Sequence, residues 1–534
     1  GIRDFCLSRG LGDVYKRQDV YDVTLRDGTQ GEGISFSVED KIRVAHKIDE
    51  LGIKYIEGGW PGSNDRDEDF FKKIKDEKLT NSKLAAFGST RRANNNCDND
   101  PNVQSLLKAE TDVITIVGKT WDFHVNKALK ISNEQNLELV YDTIEYLKKR
   151  TDEVFFDAEH FFDGFRANEK YSISTIKSAI NGGADGVILC DTNGGSTPWE
   201  IDKAVKVVRE FSKNKILGIH SHNDSDLGVA NALQAVLAGA NQIQGTINGY
   251  GERCGNANLC SIIANLNLKM NIECIKKENL GKLSEVSNFI NELANLPINN
   301  KLPFVGKSAF AHKGGIHVSA VMRDTSTYEH IEPELVGNKR RVLVSDLSGR
   351  SNISYKLDEL GITNINDDNL SIILQELKKL ENNGYEFENV DASFELFVKK
   401  FSGNYVPKIE LLETEINTRQ IIPSSDSFAK VKVKINNQII ENESSGTGPV
   451  NALDNALRKT LINEYPSLKE VELKDYRVRV VSGSKGTESL VRVIIESSDK
   501  KTSWSTIGVS SDIVEASWKA LIDSFEYKLM SQAS

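Results

Sequence analysis

Eight short apolar runs recur between residues 19 and 295, and each is followed by a stretch of helical periodicity. The runs are Val20–Leu25, Tyr55–Gly58, Leu84–Phe87, Val113–Val117, Val154–Ala158, Gly186–Cys190, Ile216–His220 and Gln242–Thr246. Strands that alternate with helices build parallel sheets, and eight such units in about 250 residues favour a closed barrel over an open sheet. We therefore predict an α/β fold in which residues 19–295 form a (β/α)8 TIM barrel.

Two predicted helix starts agree with this phasing. Ser37–Asp40 and Thr197–Glu200 each place a hydroxyl side chain three residues before an acidic one, which is the capping-box pattern. Pro198 adds a proline at the first helical position, where its missing N–H leaves no bond unmade. No glycine-rich dinucleotide fingerprint follows the first strand, so the pattern does not indicate a Rossmann domain.

Polar residues cluster where five of the predicted strands end. They are Arg26, Asp27, Glu159, Thr192, His220, His222 and the segment Gly249–Asn256. The carboxyl ends of barrel strands meet at one mouth, where barrel enzymes hold their substrates. Each group alone is also consistent with a turn or a surface charge. Five groups at the same mouth predict a catalytic site.

His220 and His222 are the centre of this predicted site. One residue separates them in a β-prone run, so both imidazoles lie on the same face of a strand. With the carboxylate of Asp27 they form a set that suits a catalytic divalent cation with positions left open for substrate. The alternative interpretation is a pair of hydrogen-bonded histidines at the end of a strand.

The composition argues against several other classes of function. A formal net charge of −10 disfavours a nucleic-acid partner, because a phosphate backbone requires a basic surface. No run approaches the roughly 18 apolar residues of a membrane span. Six dispersed cysteines indicate reduced thiols and therefore a cytoplasmic protein. Residues 1–18 show neither strand alternation nor a secretory apolar core, and we interpret them as a non-native extension.

Residues 391–534 differ in character from the barrel region, because β-branched residues alternate along Phe428–Ile435 and Leu490–Ile495. An internal repeat relates Val450–Leu457 to Val514–Leu521, with valine, two alanines and leucine at matching places. We therefore predict two similar strand–helix units that pack together in an α+β domain. The nearby segment Gly483–Thr487 lacks the spacing of a phosphate-binding loop and is predicted to be a turn.

Three motifs carry a resemblance to a known family. Leu25–Gln30 is followed by Lys41, and the motifs His220–Asp224 and Gly251–Asn256 occur later in the barrel region. Together they resemble the 2-isopropylmalate/homocitrate/citramalate synthase family, over essentially all of residues 19–534. Three further segments are most similar to the long form of the citramalate branch. These are Ile56–Ser63, Gly118–His124 and Gly245–Gly251.

The resemblance implies a metal-dependent condensation of acetyl-CoA with pyruvate and thioester hydrolysis, which gives (R)-citramalate and CoA. This reaction opens a route to isoleucine that does not start from threonine. Isopropylmalate synthases usually have glycine shortly after the His-Asn-Asp run, where this chain has Ser225–Leu227. The alternatives are 2-isopropylmalate or homocitrate synthesis from another keto acid, a lyase on the same metal barrel, and a catalytically silent metabolite sensor.

The resemblance also implies roles for single residues. The cation is Mg²⁺ or Mn²⁺, with Zn²⁺ as a further option, and either Glu159 or His317 takes the proton of the thioester methyl group. Glu159 has a structural alternative, an ion pair with Arg26 or Arg253, and Thr192 has the alternative of capping its own loop. The implied metal ligands are Asp27, His220, His222 and Asn256, the catalytic residues are Arg26, Glu159 and His317, and the substrate-binding residues are Gln30, Thr192 and Tyr328.

Residues 296–390 resemble the linker subdomains of the family, and residues 391–534 resemble its regulatory and dimerisation domain. His317 would reach into the barrel of a neighbouring subunit, which implies a homodimer. Gly446, Gly448 and Pro449 match the loop of the regulatory domain that binds the end product of the pathway, here isoleucine. The alternative for this domain is a plain dimerisation module.

Overall fold

The computed structural model describes residues 17–345, 348–362, 367–388, 390–401, 403, 405–421, 424–481 and 488–532. Residues 1–16 of the predicted extension and the predicted turn at residues 483–487 lie outside this part of the chain. The described chain folds into two compact units. Residues 17–310 with Ile331–Lys339 make the first unit, and Ala311–His330 with residues 340–532 make the second.

The first unit contains a closed barrel of eight parallel strands, which confirms the predicted TIM barrel. The strands are β1 Asp19–Asp22, β2 Tyr55–Gly59, β3 Lys83–Ser89, β4 Val113–Lys119, β5 Glu153–Glu159, β6 Gly186–Asp191, β7 Ile216–Ser221 and β8 Gln242–Gly245. They follow one another around the barrel in chain order, and β8 pairs with β1 to close it.

A helix follows every strand and packs its apolar side against the outside of the barrel. These helices are α1 Val38–Leu51, α2 Asp65–Ile74, α3 Pro101–Lys108, α4 Asn133–Lys148, α5 Phe161–Gly182, α6 Pro198–Phe211, α7 Gly228–Ala238 and α8 Leu259–Leu268, and α9 Leu283–Leu293 follows them. Both predicted capping boxes are present. Asp40 accepts from the backbone N–H of Ser37 at 3.1 Å, and Glu200 accepts from that of Thr197 at 2.8 Å.

The first strand ends earlier than predicted, at Asp22 instead of Leu25. The Asp22 carboxylate accepts hydrogen bonds from the backbone N–H and the hydroxyl of Thr24, both at 2.9 Å. This local bonding turns the chain away from the sheet. Asp27 therefore lies in the turn after the strand, directly before the 3-10 helix Gly28–Gln30. The last strand likewise ends one residue early, at Gly245.

Aromatic rings fill the lower half of the barrel interior. Tyr21 and Tyr55 have ring centroids 5.7 Å apart, and Phe155 lies 5.3 Å from Tyr55 in an edge-to-face arrangement. All three side chains are almost fully buried. The amino-terminal end of the barrel is therefore packed, as in other TIM barrels, and the opposite end is left for chemistry. Below this layer, Gln18 is buried and its backbone N–H donates to Glu273 at 2.9 Å.

The second unit begins with a mainly helical part. Two short strands pair in parallel, and the three helices that follow them share an apolar core. The elements are β9 Ala311–His312, α10 Gly315–Val321, β10 Arg341–Val342, α11 Arg350–Glu359, α12 Asp367–Asn382 and α13 Asp391–Phe401.

The rest of the second unit consists of two copies of a three-strand, one-helix arrangement, as the internal repeat predicts. The first copy is β11 Glu410–Ile421, β12 Ser424–Ile435, β13 Gln438–Gly446 and α14 Pro449–Leu461, and the second is β14 Glu472–Val480, β15 Val491–Ser498, β16 Ser503–Ser510 and α15 Ile513–Ser531. Both sheets are antiparallel, which confirms the α+β prediction. The repeated alanines and leucines of α14 and α15 share one buried core.

Two further expectations from composition can be compared with the described chain. None of its helices is both long and apolar enough to cross a membrane. Its five cysteines are free thiols.

Gly59, at the end of β2, occupies a position where the backbone and the Asp67 carboxylate leave no space for a side chain. It has φ of 152°, and a methyl group there would lie 2.6 Å from the Asp67 carboxylate. That carboxylate binds Lys41 at 2.5 Å and the backbone N–H of Trp60 at 2.8 Å. We expect Gly59→Ala to lower the unfolding free energy by about 1–3 kcal/mol, because strain and lost bonds combine.

The measurement is urea unfolding followed by circular dichroism. The control is Gly195→Ala, since a methyl group there meets no atom within 4 Å among the described residues. Equal unfolding midpoints for the two variants would show that a side chain at position 59 is tolerated and would contradict the expected strain.

Candidate active site

A cavity of about 250 Å³ opens at the carboxyl ends of the barrel strands. It brings together most of the site residues that the sequence predicts. Those that line it are Arg26, Asp27, Gln30, Glu159, Thr192, His220 and His222. The clustering of polar strand ends at one mouth is therefore a property of the folded chain.

Asp27, His220 and His222 converge at the base of this cavity. Each is nearly fully buried, and each offers one ligand atom within 4.8 Å of the other two. Nε2 of His220 lies 3.5 Å from Oδ2 of Asp27. The alternation of side chains along β7 continues to His222, which pairs with Asn256 just beyond the strand. Together with the turn after β1, it aims the two imidazoles and the carboxylate at one point.

The protonation states at this point suit a divalent cation. Burial and the neighbouring His220 lower the pKa of His222 to about 4, so its imidazole is neutral at pH 7. Burial opposes ionisation of Asp27, but the adjacent Arg26 guanidinium outweighs it and holds the pKa of Asp27 well below its usual range. Among the described residues, Nδ1 of His222 is buried without a hydrogen-bond partner. One carboxylate and two imidazoles, of which that of His222 is neutral, fit a catalytic cation site.

Asn256 contacts the same carboxylate. Its side-chain amide donates to Oδ1 of Asp27 at 3.1 Å and to the carbonyl oxygen of Tyr250 at 2.9 Å. Its own side-chain oxygen is buried and has no partner within the described part of the chain. Asn256 therefore steadies Asp27, and its role as a metal ligand stays a prediction.

Arg26 is a fixed, buried cation beside the cavity. Its Nε donates to Oε1 of Glu57 at 2.5 Å, and its Nη1 donates to Oδ2 of Asp27 at 2.9 Å. The guanidinium carbon lies 3.8 Å from the centre of the Phe87 ring, which is a cation–π distance. Three contacts on three sides leave the guanidinium little freedom to move. Its remaining N–H groups are thus preorganised for a ligand in the cavity that Arg26 lines.

Glu159, the last residue of β5, forms an ion pair with Lys119. The alternative prediction, an ion pair with Arg26 or Arg253, is wrong. The two strands are in register, so Lys119 at the end of β4 stands directly beside Glu159. Arg253 instead donates from Nε to Asp224 at 2.7 Å.

Thr192 and Gln30 both line the cavity. The Thr192 hydroxyl accepts a hydrogen bond from the backbone N–H of His160 at 2.8 Å, which joins it to the loop after β5, and its role in substrate binding stays a prediction. A hydroxyl that accepts one hydrogen bond can still donate another, and its donor remains suited to a substrate oxygen. Arg253 supports the same loop by donating to the Thr192 carbonyl oxygen at 2.8 Å.

One wall of the cavity is apolar. Trp60, Phe87 and Val117 line it, and the rings of Trp60 and Phe87 meet edge to face with centroids 5.5 Å apart. The indole N–H of Trp60 donates to Asn102 at 2.7 Å, which fixes the ring. A small apolar group on a ligand would face this wall.

Four residues of the site are not singled out by the sequence reasoning: Glu57, Lys119, Asp157 and Gln244. Glu57 and Asp157 are acids inside apolar strands, and both are buried. Carboxylates are rarely buried unless they are paired, so their position in β2 and β5 was a usable signal. Gln244 offered no comparable signal, because an amide in a strand is common.

His317 and Tyr328 lie in the second unit. Both are exposed, and their ring centroids are 4.3 Å apart. The segment that carries them is anchored by the buried Glu329, which contacts Nε2 of His312 at 3.0 Å and accepts from Arg340 at 2.5 Å. The roles of His317 and Tyr328 in a barrel site stay predictions.

The predicted effector loop joins β13 to α14. Gly446 is the last residue of the strand, Gly448 precedes the helix, and Pro449 is its first residue. Pro449 lines a cavity of about 540 Å³ with residues of β11 and α15, including Trp518. The binding of an effector here stays a prediction.

The cation site can be tested without any substrate. Loss of a hydrogen-bond partner of a metal ligand costs roughly 10–100-fold in metal affinity. His222→Ala removes a ligand itself, so we expect it to weaken Mn²⁺ binding by at least that factor. Electron paramagnetic resonance of free Mn²⁺ gives the dissociation constant. The control is His46→Ala, since His46 lies on α1 and pairs with Glu77 at 3.1 Å. Equal Mn²⁺ affinity in both variants would contradict the site.

Comparison with known protein families divides the chain into three parts. The HMGL-like family matches residues 17–290, and the homocitrate synthase post-HMGL domain-like family matches residues 304–385. The LeuA allosteric (dimerisation) domain matches residues 388–529.

Individual relatives cover nearly the whole chain. An (R)-citramalate synthase from Geobacter sulfurreducens is 56% identical over 515 residues, which cover 96% of this chain and 97% of the relative. An (R)-citramalate synthase from Aquifex aeolicus is 53% identical with the same coverage. A 2-isopropylmalate synthase from Methanocaldococcus jannaschii is 33% identical over 519 residues, which cover 96% of this chain and 94% of the relative. The resemblance found in the sequence is confirmed, and the chain belongs to the (R)-citramalate synthase family.

Proposed function

We propose that this protein condenses acetyl-CoA with pyruvate and hydrolyses the thioester, which gives (R)-citramalate and CoA. The observation that carries the proposal is the convergence of Asp27, His220 and His222 beside Arg26 in one cavity. The relatives add support, because two (R)-citramalate synthases are 53% and 56% identical to this chain. The 2-isopropylmalate synthase is more distant, at 33%.

Pyruvate would be bound at the base of the cavity. A divalent cation held by Asp27, His220 and His222, either Mg²⁺ or Mn²⁺, would act as a Lewis acid on the keto group. Arg26 is held rigidly by Glu57 and Asp27, so its free N–H groups can stabilise the oxygen that becomes negative as the carbonyl is attacked. The Thr192 hydroxyl donates to the pyruvate carboxylate.

The apolar wall supports pyruvate as the keto acid. The methyl group of pyruvate would face Trp60 and Phe87, whose rings hold each other in place. A larger side chain would have to displace a ring that is also hydrogen-bonded to Asn102. Exclusion by size in an apolar pocket is worth about 1–3 kcal/mol per methylene, so the preference is expected to be graded and not absolute.

Glu159 is the proposed base. It lines the cavity, and Lys119 holds its carboxylate in one orientation. Removal of a proton from the methyl group of acetyl-CoA leaves an electron pair that forms the new carbon–carbon bond to the keto carbon of pyruvate. Water then adds to the thioester carbonyl, the carbon–sulfur bond breaks, and CoA leaves as the free thiol.

His317 would assist from a second subunit. It is exposed beside Tyr328, and the two rings are tilted against each other, so a second chain can reach it. The match to the LeuA allosteric (dimerisation) domain supports a homodimer. In this arrangement each active site uses Glu159 of one chain and His317 of the other.

The regulatory part of the proposal concerns the second unit. Isoleucine is the proposed effector, bound near Gly446, Gly448 and Pro449, as the end product of the pathway that citramalate opens. The cavity of about 540 Å³ beside Pro449 has room for one amino acid and an apolar side chain, and Trp518 and Leu453 line it. The free cysteines of the described chain support a reducing cytoplasmic setting.

Thiol release from acetyl-CoA tests the reaction. We expect Mn²⁺-dependent release with pyruvate, less with 2-oxobutyrate and least with 2-oxoisovalerate. Glu159→Gln is expected to lower kcat by roughly 100- to 10,000-fold, because the base is lost. The control is Glu138→Gln, since Glu138 is exposed on α4. If wild-type protein released no thiol with any of the three keto acids, the proposed reaction would be wrong.

Mixed dimers test the sharing of a site between two chains. Glu159→Gln and His317→Ala chains carry different affinity tags, and dimers that contain one of each are isolated. Such a dimer has one site with both lesions and one intact site, so we expect roughly half of the wild-type activity. Each variant alone is expected to be inactive. Mixed dimers as inactive as the parents would show that both residues act within a single chain.

A further inference from the structure

We infer that Gln244 and Asp157 are positioning residues, which hold the His220 imidazole with Nε2 facing the cation position. The inference rests on the proposed function, since it assumes that His220 is a metal ligand. Nδ1 of His220 lies 2.8 Å from Oε1 of Gln244, and Nε2 of Gln244 donates to Oδ1 of Asp157 at 3.2 Å. All three side chains are buried.

The barrel topology brings these three residues together from three strands. His220 on β7 is the register partner of Gln244 on β8. Asp157 lies on β5, so the Gln244 side chain spans the barrel interior to reach it. The contact therefore forms only in the closed barrel, which explains why no local sequence pattern predicts it.

The direction of the Gln244 amide determines which nitrogen of His220 carries the proton. A glutamine amide has one donor end and one acceptor end. Asp157 takes the donor end, so the acceptor end faces His220. Nδ1 must then donate, which leaves the lone pair on Nε2. That nitrogen is the one 3.5 Å from Asp27, on the side where a cation would bind.

The bond from Gln244 to Asp157 does not require an ionised carboxylate. Burial and the nearby charge of Glu57 raise the pKa of Asp157 well above its usual range. A neutral carboxyl group keeps one acceptor oxygen, so it can still accept from the Gln244 amide. An asparagine at the same place keeps an acceptor oxygen of the same geometry.

Outer contacts of this kind control metal affinity in proteins. A histidine ligand usually donates its second ring N–H to an acceptor, and loss of that acceptor costs about 10–100-fold in affinity. The acceptor oxygen of Gln244 is therefore expected to affect Mn²⁺ affinity, which can be measured separately from the stability of the fold.

The test measures the Mn²⁺ dissociation constant of the full-length protein by electron paramagnetic resonance. Gln244→Leu is expected to weaken binding by about 10–100-fold, because His220 loses its acceptor. The matched control is Gln242→Leu, in the same strand and equally buried, whose amide has no hydrogen-bond partner among the described residues. We expect its Mn²⁺ affinity to match that of the wild type.

Conservative variants separate positioning from packing. Gln244→Glu keeps an acceptor for Nδ1 of His220 and is expected to restore Mn²⁺ affinity, as is Asp157→Asn, which keeps the acceptor for the amide. Asp157→Ala is expected to weaken binding by roughly 10-fold, since Gln244 becomes free to turn. This variant also serves if Gln244→Leu does not fold.

Three results would overturn the inference. Equal Mn²⁺ affinity of Gln244→Leu and Gln242→Leu would show that the acceptor is irrelevant. Failure of Gln244→Glu to restore binding would point to packing alone. Absence of Mn²⁺ binding by the wild-type protein would refute the proposed cation site itself, and this outcome is distinct from the other two.

Discussion

The mouth of the barrel is arranged around one buried negative charge, the carboxylate of Asp27. Burial alone would keep this group protonated and make it a poor ligand. The guanidinium of Arg26 reverses that tendency, and the side-chain amide of Asn256 adds a hydrogen bond to the same carboxylate. Burial of an isolated carboxylate destabilises the folded protein by several kcal/mol. A site that forms before the cation binds must therefore stabilise its carboxylate with neighbouring positive or hydrogen-bonding groups.

Arg26 forms ion pairs with two carboxylates, and these contacts connect the mouth of the barrel to its interior. Arg26 binds Glu57 as well as Asp27. Glu57 in turn accepts from the hydroxyl of Tyr21 at 2.8 Å, and that hydroxyl contacts Thr115 at 2.7 Å. The polar groups of the upper layer are therefore satisfied by the aromatic layer beneath it. Catalytic geometry and core packing are parts of the same network.

The sequence predicts the barrel and the convergence of Asp27, His220 and His222 for physical reasons. The strands are apolar because both faces of a barrel strand are buried, and His220 and His222 share a face because strand side chains alternate. Glu57, Asp157 and Gln244 are harder to predict, since their partners come from distant strands. The end of β1 is missed because the bonds of Asp22 to Thr24 override the β-propensity of the run.

The aromatic layer of Tyr21, Tyr55 and Phe155 has one more consequence. It fills the amino-terminal end of the barrel, so a ligand reaches the cavity through the opening at the other end. Both reactants, the water for hydrolysis and both products must then pass through that opening. With pyruvate at the base of the cavity, as proposed, acetyl-CoA would lie above it, so the keto acid would have to enter first and its product would leave last.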